Sequence, residues 1–474
     1  MTVAGPPPAD LSDRRPPDDL GVRLARFRAA RAALDPGPEH LPARRQRPAP
    51  GLLADRFAEL LEGTVEVSGL GHLVRVEPRP HRIAVDRHLL ATLPDGPPID
   101  VPLVCLDTET TGLGTATGTL AFLVGLGWWE EDGLFRQAQL LIADHADEPA
   151  LLEALAAAIP PDAWLVTYNG RTFDWPLLET RYRLRRGEPP RPAGHLDLLP
   201  LARRLFRHRL DDARLRSVET GVLGLHRPRD VEGWRIPGLY LGALRGEDPS
   251  ELVQVVRHND VDVRSLAALL GHLGASLLDP GGRAASPAGD LAGLGRLYRR
   301  SGRLEEALEM IEAAIAAYDE IPPDPFGRTE PSGIRSVPAA RPGRPVAAWD
   351  LVRLRSEQAR LLRRLGRPAQ AADAWLAAAV AAGGSRGAVH AWIEVAKARE
   401  RGLGDLAGAL DATLRAARLL ERARSLGRPE SVLERRTAER LVRIRRRMAR
   451  ASGRPTTPRG RRPSAAPAMT GAAR

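Results

Sequence analysis

Two carboxylates near the end of an apolar stretch are the first sign of chemistry in the sequence. Asp107 and Glu109 directly follow the apolar residues of VPLVCLDTETTGL. If this segment is a strand, side chains two positions apart lie on the same face, so both carboxylates point in one direction. Apolar residues on both faces predict a buried central strand, where two adjacent carboxylates repel each other unless a cation joins them. The pair therefore predicts a metal site rather than a surface feature.

Further carboxylates occur along the chain in contexts that suit the same site. Asp174 lies in TYNGRTFDWPLL, where a strand ends and a helix begins. An aspartate at this position could belong to the metal site, or it could simply cap the helix. In HNDVDVRSL, helical geometry puts His258 and Asp262 on one face, whereas Asp260 points about 200° away from Asp262. A lone helical histidine is more often packed or on the surface, but one turn before a metal-binding carboxylate it is a candidate general base.

Taken in order, these motifs resemble the DEDD superfamily of 3′–5′ exonucleases, and within it the YprB-type ribonuclease-H-like domain. The resemblance covers about residues 101–275 and depends on LDTETTGL, YNGRTFDWPLL, HLDLLPLARRLF, IPGLY and HNDVDVRSLAALL. It implies an α/β fold with a ribonuclease-H-like mixed β-sheet flanked by helices. It also implies a metal-binding set made of Asp107, Glu109, Asp174 and Asp262.

The sequence departs from the family pattern beside the fourth carboxylate. Members of the superfamily usually carry a tyrosine four residues before the last aspartate, or a histidine five residues before it. Here His258 stands four residues before Asp262 and two before Asp260. We prefer Asp262 as the ligand and keep Asp260 as the alternative. The departure concerns the identity of the general base, for which His258 is the candidate.

The resemblance implies hydrolysis of phosphodiester bonds with two Mg²⁺ or Mn²⁺ ions, because hard cations prefer oxygen ligands. It also implies that residues following the metal strand hold the terminal nucleotide, and that residues near Asp174 contact its sugar or base. These residues are Thr110, Thr111, Gly112, Leu113, Asn169 and Phe173. Arg171 or the arginine-rich C-terminus would contribute positive charge for the phosphate backbone.

The most favoured function is a 3′–5′ exonuclease acting on single-stranded nucleic acid, DNA or RNA. One alternative is a scaffold that binds nucleic acid and recruits a protein partner, although the intact carboxylate set argues against a dead enzyme. The other is an endonuclease, because the same fold hosts several nuclease activities.

The elements that must position these residues are predicted from periodicity. Three strands, VPLVCLDTET, TLAFLVGLGWW and LFRQAQLLI, precede a helix in ADEPALLEALAAAI. A strand in AWLVTYN and a helix in DWPLLETRYRLRR follow. More helices are predicted in DLLPLARRLF, RLRSVETGVLG and SELVQVVRHNDVDVRSLAALLGHL. Three meandering strands followed by alternating helices and strands favour a mixed sheet.

The regions on the N-terminal side have their own character. Residues 1–50 are rich in Pro and Arg and are predicted to be disordered, with one short helix near Leu24–Ala33. Residues 51–100 predict a small α+β segment that begins with a helix over Leu52–Leu61 and continues with strands in TVEVSGLGHLVRVEP.

Residues 290–420 predict helical repeats similar to tetratricopeptide repeats. Three loose copies place a glycine, Gly302, Gly366 or Gly404, five residues before an alanine. Such repeats could bind a protein partner. A Pro-rich insertion over 321–345 separates the first two copies, and a basic helix over 430–450 precedes a disordered basic tail over 451–474.

Composition narrows the remaining classes. A chain of 474 residues suffices for two or three domains. No apolar run approaches the roughly 18 residues that span a membrane, and the N-terminus lacks the apolar core of a signal peptide. One cysteine, Cys105, excludes an internal disulfide framework and a multi-cysteine zinc site. We therefore expect a cytoplasmic protein without a membrane segment.

The net charge of +11 is unevenly distributed. Residues 101–275 hold 19 arginines and 24 carboxylates, so the predicted nuclease domain is slightly acidic. From residue 420 onward, 16 arginines face four glutamates. The positive charge thus lies outside that domain, in a segment that could bind phosphates or could simply be a solvated end.

Overall fold

The computed structural model describes residues 51–112, 118–228, 230–319 and 347–452. Several sequence predictions fall outside these ranges. They are the disorder of residues 1–50, the helix near Leu24–Ala33, the contact role of Leu113, the insertion over 321–345, and the tail beyond residue 452.

A mixed sheet of eight strands forms the first part of the described chain. Its strands are β1 Thr64–Ser68, β2 Gly71–Val76, β3 His81–Arg82, β4 Leu103–Thr110, β5 Ala121–Trp129, β6 Leu134–Leu141, β7 Trp164–Thr167 and β8 Gly194–Asp197. Their order is β1-β2-β6-β5-β4-β7-β8, with β3 also paired to β6. The pairs β4–β7 and β7–β8 are parallel, and all the others are antiparallel. The predicted fold class is confirmed.

Helices cover both faces of this sheet. They are α1 Leu52–Leu61, α2 Arg87–Ala91, α3 Glu148–Ala158, α4 Asp174–Leu184, α5 Leu198–Leu205, α6 Leu215–Val218, α7 Ile236–Leu244 and α8 Leu252–His272. Leu103 and Cys105 of β4 pack in one core with α5 and α8, whereas Val104 and Leu106 pack in another with α1, α3, α4 and α7. Alternate side chains of β4 therefore enter two cores, as its apolar sequence predicts.

The long helix α8 lies against β4, β5 and β6, and two glycines of β5 make room for it. A Cβ atom at Gly125 would lie 2.2 Å from Oδ1 of Asn259 and 2.8 Å from Cγ2 of Val263. A Cβ atom at Gly127 would lie 2.8 Å from Cγ1 of Val263. Only glycine lets the helix backbone approach the strand this closely. By length and composition alone, the helical stretch Pro249–Leu278 could cross a membrane, but here it packs on the sheet.

Residues 51–100 extend the same sheet. The hairpin of β1 and β2 adds to the edge of β6 over Val74–Val76, and α1 packs against it. The predicted helix Leu52–Leu61 matches α1. Strand β8 was not predicted, because its four residues show no alternation and form a strand only through pairing with β7.

The second part of the chain is helical, as predicted. Its helices are α9 Pro280–Arg283, α10 Ala288–Arg300, α11 Leu304–Asp319, α12 Ala347–Arg364, α13 Pro368–Ala381, α14 Arg386–Lys397, α15 Leu406–Ser425 and α16 Ser431–Ser452. From α10 onward, each helix packs on the next one in the sequence. Gly302, Gly366 and Gly404 have φ of 82°, 74° and 69°, in the left-handed region that glycine adopts most readily at the end of a helix. Assignment of these helices to tetratricopeptide repeats stays a prediction.

Candidate metal-binding and catalytic site

The two carboxylates of β4 face helix α8. Asp107 Oδ2 accepts a hydrogen bond of 2.9 Å from Nδ2 of Asn259, a fully buried residue of that helix. Gln139 of β6 donates in turn to Oδ1 of Asn259 at 2.9 Å. Glu109 lies two residues beyond Asp107 on the same face, with its Oε1 3.9 Å from Nε2 of His258. The β-strand geometry thus directs both acids toward α8, as predicted from their spacing.

Asp174 approaches the same place from the start of α4. It is the first residue of the helix, and the residue before it, Phe173, makes no side-chain capping bond. The side chain of Asp174 is buried, and Thr108 of β4 donates a hydrogen bond from its hydroxyl to Oδ1 of Asp174. Asp174 is therefore tied to the strand that carries Asp107 and Glu109.

Helix α8 separates its two aspartates onto different sides. Asp262 Oδ2 lies 3.5 Å from Nε2 of His258, so Asp262 shares the side of Glu109. Asp260 instead accepts a hydrogen bond of 2.8 Å from Arg264, away from the other acids. Asp107, Glu109, Asp174 and Asp262 lie within electrostatic reach of one another, whereas Asp260 is paired with Arg264 outside this group. The choice of Asp262 as the fourth ligand stays a prediction.

Three charged residues beside this site were not predicted from the sequence. Asp230 lies with its Oδ1 2.8 Å from Nδ1 of His258. The guanidinium of Arg227 donates to Asp262 and to Glu219, and its Nη1 lies 3.6 Å from Oδ2 of Asp230. The segment HRPRD, which holds Arg227 and Asp230, has the composition of an ordinary polar loop, and Glu219 stands in an equally unremarkable helical segment. Only the tertiary fold brings them to α8.

Burial dominates the electrostatics of the four acids, and repulsion by the other acids adds to it at Asp107 and Glu109. Burial raises the pKa of Asp107 well above its ordinary value, and the charges of Asp262, Asp174 and Glu109 raise it further, while the Asn259 hydrogen bond opposes them. Burial and the same kind of repulsion also raise the pKa of Glu109. Burial raises the pKa of Asp174 to about 6, against the hydrogen bond from Thr108. The fold therefore holds four acids that resist ionising together.

Burial also raises the pKa of Asp262, but here two basic neighbours oppose it. His258 and Arg227 both lower the pKa of this carboxyl. Arg227 thus compensates part of the negative charge on the α8 side of the site. Within the described residues, Asp107 and Asp174 form no ion pair comparable to that of Asp262 with Arg227. A further cation would therefore relieve their repulsion.

The donor set fits a hard divalent cation in its chemistry. Within the described residues, no three or more His, Cys, Asp or Glu side chains are already gathered as a metal-binding group. The four carboxylates nevertheless supply only oxygen donors, and burial raises the pKa of each. The other acids raise the pKa of Asp107 and Glu109 further, and Mg²⁺ or Mn²⁺ would complement these features. Small side-chain movements would have to close the set around an ion.

The predicted substrate residues lie on two segments next to the acids in the chain, which we call the two rims of the site: the turn that leaves β4 and the loop before Asp174. Beyond Glu109, the Thr110 hydroxyl donates to the carbonyl of Gly112 at 2.6 Å, and the Thr111 hydroxyl accepts from the backbone of Leu120 at 3.1 Å. These bonds shape the turn that leaves β4. Leu113 lies outside the described residues.

The opposite rim is the loop between β7 and α4. Asn169 has φ of 71°, a left-handed conformation, and its backbone N–H donates to Asp197 at 2.8 Å. The backbone N–H of Arg171 also donates to Asp197, at 3.3 Å, and its guanidinium donates to the carbonyl of His195. Asp197 at the end of β8 therefore fixes the loop that leads into Phe173 and Asp174.

Comparison with known proteins finds matches for the region that carries these acids. Residues 104–274 match the RNase_H superfamily. The chain is also 39% identical over 178 residues to an uncharacterized protein, YprB of Bacillus subtilis (strain 168), and the match covers 37% of this chain and 43% of that protein. Less than half of the relative is therefore spanned.

Among solved structures, BtubC (BKLC) from P. vanneervenii is 16% identical, and the match covers 50% of this chain and 90% of that one. Its TM-score is 0.23, which is too low to support an argument about the fold.

Proposed function

Because residues 104–274 form a domain of the ribonuclease H superfamily, we propose that this domain is a metal-dependent nuclease that shortens single-stranded nucleic acid from its 3′ end. One observation carries the proposal. Four carboxylates from β4, α4 and α8 lie within electrostatic reach of one another, and burial together with the charges of the other acids raises the pKa of Asp107 and Glu109. Such a concentration of negative charge is costly for a fold and is characteristic of sites that work with a cation.

Asp107, Glu109, Asp174 and Asp262 would hold the metal. When bound, Mg²⁺ or Mn²⁺ would lower the pKa of water and stabilise charge on the leaving 3′ oxygen. The chain itself fixes two of the ligands before any ion arrives. Asn259 holds Asp107, and Thr108 holds Asp174. Such supporting hydrogen bonds keep ligands in a productive orientation.

His258 would act as the general base through Nε2. With a proton on Nδ1, it donates to Asp230, so the lone pair of Nε2 faces the side of Glu109 and Asp262. Asp230 then fixes both the tautomer and the orientation of the ring, as the third member of a catalytic triad does. Nε2 can accept the proton of a water molecule that attacks the phosphorus.

The two rims would hold the terminal nucleotide. Thr110, Thr111 and Gly112 form the turn beyond Glu109, and Asn169 and Phe173 lie in the loop fixed by Asp197. Backbone groups in such turns are suited to contact sugar and phosphate without reading base identity.

The test is a cleavage assay on metal-stripped full-length protein with Mg²⁺ or Mn²⁺ added back. Labelled single-stranded, duplex and hybrid DNA and RNA should show stepwise loss from the 3′ end of single strands. Asp107→Asn and Asp174→Asn should abolish it. Asp260→Asn is the matched control, because it makes the same chemical change two residues from Asp262 on a side chain outside the site.

Three results would contradict the proposal. Cleavage that persists in both Asp107→Asn and Asp174→Asn would show that the activity comes from elsewhere. Cleavage without divalent cations would contradict the metal requirement. Internal cuts from the first time point would show an endonuclease of the same fold instead.

A nucleic-acid-binding scaffold that recruits a protein partner through its helices is the second candidate. The ion pair of Arg227 with Asp262 favours it, because a guanidinium already satisfies one of the four acids. Calorimetric titration distinguishes the two functions. Binding of Mg²⁺ or Mn²⁺ that Asp107→Asn abolishes supports the nuclease, and no binding supports the scaffold.

A further inference from the structure

We propose that the helical region binds the phosphate backbone of single-stranded nucleic acid along a basic groove. The basic groove is a cavity of about 500 Å³ lined by Arg360, Arg363, His390, Glu394, Lys397 and Arg401, among others. It lies between α12, α13 and α14 and the turn after α14. The proposal deepens the proposed function, since the strand bound here would be the substrate of the nuclease domain.

The charges that line the groove are unequal. Glu394 contacts Lys397 at 2.6 Å and Arg363 at 4.0 Å, so one carboxylate serves two cations. Arg360 lies over the ring of Trp375, with its guanidinium carbon 5.4 Å from the ring centroid, and Arg401 is exposed. Four cationic side chains and one carboxylate therefore line a concave surface, which would attract an anion.

A second charged cluster is centred on Glu400, which is adjacent in the sequence to the groove residue Arg401. Glu400 is 2% exposed and accepts hydrogen bonds from three arginines of α16: Arg440 at 2.7 Å, Arg443 at 2.9 Å and Arg447 at 2.9 Å. One carboxylate cannot neutralise three guanidiniums. Arg443 and Arg447 are 45% and 47% exposed, so N–H donors that do not face Glu400 remain available to a ligand.

The two clusters lie within electrostatic reach of each other. Burial lowers the pKa of Arg440, the charges of Arg443 and Arg401 lower it further, and Glu400 and Glu394 oppose them. Arg401 and Glu394 line the groove, so Arg440 interacts electrostatically with the charges of both clusters. Helix α16 also exposes further arginines that form no ion pair within the described residues, namely Arg435, Arg436, Arg445, Arg446 and Arg450.

This distribution fits a polyanion better than a single acidic group. Helix α16 has 22 residues, which at 1.5 Å per residue makes it about 33 Å long, and its arginines are spread over most of that length. Guanidinium groups match the geometry of phosphate oxygens, and they stay charged at every relevant pH. The nuclease domain, with 19 arginines and 24 carboxylates, does not offer such a surface to a nucleic acid.

The experiment measures binding of a short fluorescein-labelled single-stranded oligonucleotide to the full-length chain by fluorescence anisotropy, in EDTA, at several salt concentrations. The test variant is Arg363→Ala with Arg401→Ala. The matched control is Arg418→Ala with Arg422→Ala, which removes the same charge from exposed positions of α15 that do not line the groove. Circular dichroism checks that both variants keep their helical content.

The test variant should bind about 25-fold more weakly at about 0.1 M salt, and its log–log salt slope should fall by about 1.4, because each phosphate contact contributes about 0.7 to the slope for single strands. The control should stay near the wild type. Equal weakening of both variants would show that only net charge matters and would overturn the proposal. A poly-glutamate peptide that competes as well as unlabelled oligonucleotide would overturn it in favour of an acidic protein partner.

Binding in EDTA does not depend on cleavage, so the two proposals can fail separately. A chain that binds through the groove but never cleaves with Mn²⁺ would contradict the nuclease alone. Cleavage by a chain whose oligonucleotide binding ignores Arg363 and Arg401 would contradict the groove alone.

Discussion

Replacing Gly125 by alanine should inactivate the candidate site without changing any of its side chains. Gly125 pairs with Asp107 across the β4–β5 ladder. The new Cβ atom would lie 2.2 Å from Oδ1 of Asn259 and 2.8 Å from Cγ2 of Val263, both on α8. Contacts between heavy atoms are favourable near about 3.5 Å, so the helix would have to retreat by about 1 Å.

The size of the effect follows from this displacement. A retreat of α8 would carry Asn259, His258 and Asp262 away from Asp107 and Glu109. A misplacement of about 1 Å can cost about 100-fold in rate, and extra volume in a packed core typically costs about 1–3 kcal/mol of stability. We therefore expect a folded protein with about 100-fold slower cleavage and weaker Mn²⁺ binding.

Three measurements check this expectation. Cleavage rates report on the site, calorimetry with Mn²⁺ reports on the ligand set, and urea denaturation reports on the fold. Gly238→Ala in α7 is the control, because no atom lies within 4 Å of its added Cβ. Wild-type cleavage and wild-type Mn²⁺ affinity in Gly125→Ala would refute the claim that this contact positions the site.

Three further predictions concern individual groups. Burial raises the pKa of Asp174 from 3.8 to about 6, so the folded chain holds that proton more tightly than the unfolded chain does, and stability falls as pH rises from about 4 to 6. In EDTA, Asp174→Asn should raise the free energy of unfolding by about 3 kcal/mol at pH 8 and by almost nothing below pH 4. Urea denaturation of both proteins across this pH range measures the difference, and parallel pH profiles would contradict the prediction. His258→Gln should slow cleavage by about 10²- to 10⁴-fold and leave Mn²⁺ binding nearly intact. The cleavage rate of Asp230→Asn should lie between those of the wild type and His258→Gln, and unchanged rates in both variants would exclude His258 as the general base. Glu148 is 1% exposed and pairs with two arginines, so Glu148→Ala should lower the free energy of unfolding by about 3–5 kcal/mol. Arg185→Ala, at a 43% exposed position, should lower it by less than about 1 kcal/mol, and equal urea midpoints for the two variants would contradict this prediction.

Much of the fold could be predicted because its signals are local. The apolar run before Asp107 predicted the central strand, and 3.6-residue periods predicted α3, α4 and α8. Strand β8 could not be predicted, because four residues form a strand there only through pairing with β7. The joining of residues 51–100 to the sheet likewise depends on contacts between distant residues.

The candidate site divides in the same way. Asp107 and Glu109 were proposed from strand periodicity, which is a local property. Asp174 and Asp262 were implied by the resemblance to the DEDD exonucleases, and helix geometry favoured Asp262 over Asp260. Asp230 and Arg227 reach His258 and Asp262 from a loop that has no periodicity, so no spacing rule could connect them to α8.

The sheet domain and the helices that follow it share one hydrophobic core, which limits where the chain can be divided. Buried residues of α5 and α8 belong to one continuous apolar cluster with those of α10 and the helices after it, and α10 packs so tightly that a Cβ at Gly293 would lie 2.8 Å from the Arg204 carbonyl. A truncation near residue 275 would therefore cut through shared interior and uncover an aggregation-prone surface. The sheet domain and its helical extension should be expressed, evolved and engineered as one inseparable unit, not exchanged as interchangeable cassettes.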